Sequence, residues 1–74
     1  MLARAAGEPP AVAKPKHKIP ELTTYELRDY RHALERAIAF FGERDPAAPA
    51  LADLRARLGA VIAEQDDRER IARS

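Results

Sequence analysis

Few residues in this chain could make or break bonds. His17 and His32 are its only imidazoles, and there is no cysteine to supply a thiolate. A metal centre needs several nitrogen, sulfur or carboxylate donors at close, regular spacing, and two distant histidines do not make one. Asp66 and Asp67 are adjacent carboxylates. Neighbours on a helix diverge by about 100°, so they cannot face one reacting atom as a pair and read instead as a charged helix face. Gly7, Gly42 and Gly59 lie too far apart to form a phosphate-cradling loop. Arg28, Tyr30 and Arg31 would line a small-ligand site only if two copies met there, and no further residue supports such a site. The chain therefore reads as a non-enzymatic protein, with no catalytic residue, no cofactor and no metal assigned.

One cluster has the character of a binding arm. Lys14, Lys16 and Lys18 alternate with Pro15 and His17, and lysines grouped on an extended arm can contact phosphates through counterion release without reading sequence. No aromatic residue is interleaved for base stacking. A nucleic-acid-associated regulator using this arm is the alternative to a protein–protein module. The formal net charge of +1 conceals a division that fits two roles. Residues 1–20 carry +3 and the rest −2, and every basic residue beyond the arm is arginine.

The elements that would position these groups follow from proline, capping residues and apolar spacing. Residues 1–20 hold Pro9, Pro10, Pro15 and Pro20. Proline removes backbone donors and restricts its neighbours, and large apolar side chains are few here, so a flexible tail is expected. Ile19 and Leu22 flank Pro20 and could dock the last tail residues. Thr23 and Glu26 then form a capping box, with Leu22 and Leu27 as its hydrophobic staple. A helix is predicted over 23–41, with Leu27, Tyr30, Leu34, Ala37, Ile38 and Phe41 on one face. Gly42 suits a left-handed C′ position, and residues 42–50 read as the turn. Either Asp45-Pro46 or Pro49 can open the next helix.

That second helix is predicted over 51–72. Leu51, Leu54, Leu58, Val61 and Ile62 form its apolar seam, followed by polar Gln65 and Glu69. Acid-before-base pairs at four-residue spacing, Asp53–Arg57, Glu64–Arg68, Asp66–Arg70 and Glu69–Arg73, support its exposed faces. A turn this short lays the helices antiparallel. The fold class is therefore all-α: residues 21–74 form a two-helix hairpin with coiled-coil-like packing behind a disordered N-terminal tail.

Two helices give each apolar stripe a single neighbour, and so small a core is marginal on its own. Ala52, Ala56, Gly59 and Ala63 recur at steps of four, three and four and are expected to line a strip beside the leucine seam, where a second copy could approach closely. A homodimer forming a four-helix bundle, or docking on a larger protein, is the expected partnership. There is no apolar run of about 18 residues for a membrane helix and no apolar leader near the N-terminus. No membrane association is expected, and the cytoplasm is the expected compartment.

The run Leu22-Thr23-Thr24-Tyr25-Glu26-Leu27-Arg28-Asp29-Tyr30-Arg31, the Leu/Ala/Arg-rich second helix and the ending Ala63-Glu64-Gln65-Asp66-Asp67-Arg68 resemble a class of short proteins. These are the small, uncharacterised helical-hairpin proteins of high-GC actinobacteria, some of them associated with mobile elements. The resemblance covers about residues 20–73. It implies a helical hairpin and a bacterial cytoplasm, and it carries no activity and no site residues.

Overall fold

A computed structural model describes residues 12–73. Helix α1 spans Thr24–Arg44 and helix α2 spans Pro49–Arg73, preceded by a single 3₁₀ turn at Ile19–Glu21. The two helices pack along their length as a hairpin. No strand occurs among the described residues.

Helix α1 begins where its capping residues direct. The Glu26 N–H donates to Thr23 Oγ1 at 3.1 Å, and the Thr23 N–H donates to Glu26 Oε1 at 2.8 Å. Leu22 and Leu27 are both buried in the core cluster, which completes the staple.

The far end of α1 differs from expectation. Gly42 does not stop the helix: no glycine among the described residues has a positive φ, and α1 continues to Arg44, with Asp45 as its C-cap. Glycine permits the left-handed turn without requiring it. The stop comes from Pro46, which disfavours the helical conformation in the residue before it. Asp45 leaves the helix accordingly, and its N–H donates to the Phe41 carbonyl at 2.7 Å. The connection is then a tight turn closed by the Ala48 N–H on the Asp45 carbonyl at 2.9 Å. Pro49 is the first residue of α2, where its missing N–H leaves no orphan donor. Pro46 therefore ends one helix and Pro49 starts the next, and the turn is shorter than residues 42–50.

Leu22, Leu27, Leu34, Ala37, Leu54 and Val61 form one buried cluster, against which Tyr30, Ile38, Phe41 and Leu58 pack half-buried. Leu51 is buried as well, and Ile62 is half-buried at the edge. All ten expected seam residues are thus at least partly covered.

The tail expected over residues 1–20 falls in two parts. Residues 1–11 lie outside the described residues, and residues 12–20 contact the hairpin. Val12 packs on the core, sharing a depression of about 200 Å³ with Ala37, Phe41, Ala50, Asp53, Leu54 and Arg57 near the turn. Ile19 and Leu22 pack on the core too, beside the start of α1. The segment therefore runs back along the hairpin as a strap. Its apolar anchors are few but sit at both ends. Pro15 and Pro20 restrict the unfolded chain, which lowers the entropy lost when the strap is laid down.

Candidate interaction surface

Two apolar helices in contact leave a groove on each side of the seam, and this hairpin treats its two grooves differently. At 100° per residue, Ala37 lies to one side of Leu34 and Ile38 to the other. On α2, Asp53 and Arg57 lie to one side of Leu54, with Leu58 and Ile62 to the other. Val12 sits among Ala37, Asp53 and Arg57, so the strap fills the first groove. Among the described residues no strap lies over the second groove, bordered by Ile38, Leu58 and Ile62, and all three side chains are half-buried.

The strap side is closed by hydrogen bonds as well as by apolar contact. Arg68 reaches from α2 and donates through Nη2 to the carbonyls of Leu22 at 2.7 Å and Pro20 at 3.2 Å. Its Nε is held by Glu64 Oε2 at 2.7 Å. A charged donor on otherwise unpaired carbonyls is worth more than a neutral one, so Arg68 fastens the strap where α2 has few apolar groups. Further along, Arg57 pairs with Asp53 at 2.7 Å and adjoins the Tyr30 hydroxyl. Burial alone would lower the Arg57 guanidinium. The Tyr30 and Asp53 oxygens more than reverse this and hold it above its ordinary value.

On the open side a polar link crosses the seam instead. Arg31 Nη1 donates to Gln65 Oε1 at 2.8 Å while its Nε contacts Glu35 at 3.2 Å. Thr24, Leu27, Arg31, Gln65, Asp66, Arg68 and Glu69 enclose a shallow depression of about 490 Å³. The Arg31–Gln65 link spans it, so these two polar groups are already partnered within the chain.

The small-residue strip is not where it was expected. Ala52, Ala56, Gly59 and Ala63 are all exposed, whereas Leu51, Leu54 and Val61 are buried. The helical repeat turns the strip to the outer face of α2, roughly opposite Leu54, rather than beside the seam. A side chain built at Gly59 would meet nothing within 4 Å, so this stretch is open to a neighbour.

Lys14, Lys16 and Lys18 are exposed along the strap, with His17 3.9 Å from Glu21. On the outside of α1, Arg28 stacks over Tyr25 at 4.9 Å and Arg44 over Phe40 at 4.1 Å. Phe40 is partly covered there, whereas Tyr25 remains largely exposed beside Arg28. Among the expected ion pairs of α2, Asp53–Arg57, Glu64–Arg68 and Glu69–Arg73 form, and Arg70 meets Asp67. Sequence spacing missed the Arg68 clamp and the Arg31–Gln65 link, because helical periodicity carries no information on contacts some 46 and 34 residues apart.

No group of histidine, cysteine, aspartate and glutamate suited to a metal ion occurs among the described residues. No described helix is long and apolar enough to cross a membrane. Comparison with known protein families, characterised proteins and solved structures gives no match.

Proposed function

We propose that this protein is a non-enzymatic helical interaction module of the bacterial cytoplasm that self-associates through the groove its strap leaves uncovered. The observation that carries the reading is the inequality of the two grooves. The first is filled by Val12, Ile19 and Leu22 from the chain itself, while Ile38, Leu58 and Ile62 stay half-covered on the other side. A second copy covering that side would complete a four-helix bundle and supply the burial so short a chain lacks. Sedimentation equilibrium across a range of concentrations tests the reading. A concentration-dependent shift to twice the chain mass is expected, and a single monomeric mass throughout would refute it.

A second reading draws on the three exposed lysines of the strap, which could meet phosphates while the hairpin dimerises. Binding to a short DNA duplex should then weaken steeply with salt and fall further when Lys14, Lys16 and Lys18 become glutamine. Absent or salt-insensitive binding removes this reading.

A further inference from the structure

Self-association through the open groove fixes no register, and the outer edge of that groove on α2 carries a pattern that supplies one. Around α2, Arg55, Gly59, Ile62 and Asp66 fall within about 60° of one another, with Leu58 and Ala63 at the two margins. Arg55, Gly59, Ala63 and Asp66 are exposed, while Leu58 and Ile62 are half-buried. Neither Arg55 nor Asp66 makes an ion pair among the described residues, in contrast to Arg57, Arg68 and Arg73 on the same helix.

The order of these residues is complementary to its own reverse. Let two copies of α2 lie antiparallel, with a twofold axis passing between Ala60 and Val61. Residues equidistant from that point then face each other. Arg55 of one copy meets Asp66 of the other, Ile62 meets Gly59, and Leu58 meets Ala63. Each contact occurs twice, as an isologous interface requires. Opposite charges meet at both ends, and between them each large side chain is set against a small one. Gly59 has the open space to receive Ile62. That would also account for a residue that weakens a helix interior by about 1 kcal/mol relative to alanine.

We propose that this face of α2 is the dimer interface, occupied by a second copy of the chain in antiparallel register about the 60–61 midpoint. It rests on the self-association reading above and adds to it the α2 residues that meet, a direction and a register. The α2 helices pair at the centre, and each open groove turns toward the partner hairpin, so that Ile38 joins the shared core. The strap stays outside, on the far groove of each copy.

Charge exchange tests the register. Arg55→Asp and Asp66→Arg, each alone, replace two attractive contacts by two repulsive ones and should weaken dimerisation about tenfold. Mixed in equal amounts, the two variants should recover the parent affinity, because the mixed dimer restores opposite charges at both contacts. Gly59→Leu fills the notch for Ile62, so it should weaken the dimer by at least about tenfold while raising helicity. Its helicity by circular dichroism separates a lost interface from a lost fold. Sedimentation equilibrium reads all three. A parent chain that is monomeric at every concentration overturns self-association itself. A dimeric parent with no recovery on mixing, and a Gly59→Leu variant that dimerises normally, overturns this face and register alone.

Discussion

The two sides of the hairpin begin with comparable material and end in different states. On the strap side, Val12, Ile19 and Leu22 lie over the seam, and Arg68 fastens two strap carbonyls to α2. On the open side, Ile38, Leu58 and Ile62 stay half-covered, and the polar Arg31–Gln65 contact crosses the seam. A segment in the same chain can be laid down without the translational and rotational cost of a second molecule. The minimal hairpin is thus completed from within the chain on one side, and the other side is the one proposed above to receive a second copy.

Substitutions at the shared centre should disrupt both sides together. Leu34 is fully buried, and Leu34→Ala should cost about 2–5 kcal/mol, enough to melt much of the helical signal in a thermal denaturation followed by circular dichroism. A stable Leu34→Ala variant would mean that the seam is misplaced. Leu34→Asp should unfold the chain outright.

Strap-side substitutions come next. Removing the Arg68 donors leaves the Pro20 and Leu22 carbonyls to water, and Arg68→Ala should cost about 1–3 kcal/mol. Faster amide hydrogen exchange should follow in residues 19–27, with little change near the turn. Uniform exchange along both helices would show that the strap is not fastened there.

Thr23→Ala should cost about 1 kcal/mol and destabilise the same end through the cap. The pH dependence has a definite sign. The Thr23 backbone N–H holds the Glu26 carboxyl below its ordinary value of 4.5. Its contribution is therefore complete above about pH 4.5 and is lost as the pH falls through the lower folded-state value. Glu26→Gln should flatten that part of a stability-versus-pH curve, and an unchanged curve would remove Glu26 from the account.

Gly42 offers the smallest effect and the clearest sign. It lies inside α1 with open space around it and no positive φ. Gly42→Ala should therefore stabilise the chain by up to about 1 kcal/mol. A destabilised variant would return Gly42 to the helix-ending role that its position after Phe41 suggests.

Much of this fold was legible in the sequence, because its strongest signals are local. Thr23 and Glu26 lie three apart, and Leu27, Leu34 and Val61 recur at helical spacing, so the cap and the seam could be read directly. The helix ends were read less well. Gly42 carries no information about which of its permitted conformations it adopts, and the effect of Pro46 on Asp45 decided the matter. The strap was missed because Val12 is isolated among small and charged residues, and only the groove of a folded hairpin gives it a partner. The small-residue strip was read from its spacing, but its side of the helix was not, and the periodic repeat turns it away from the seam. Arg68 was visible as a neighbour of Glu64 on the sequence, and its reach to Leu22 depends on the hairpin being closed.

Comparison of one substitution on each side tests the central claim most directly. Sedimentation equilibrium of the full chain carrying Ile62→Glu should give the monomer mass with helicity retained, because the charge enters only the open side. Val12→Glu, on the strap side, should leave the dimer mass unchanged. An Ile62→Glu chain that dimerises as tightly as its parent would contradict the assignment of the open groove to a second copy.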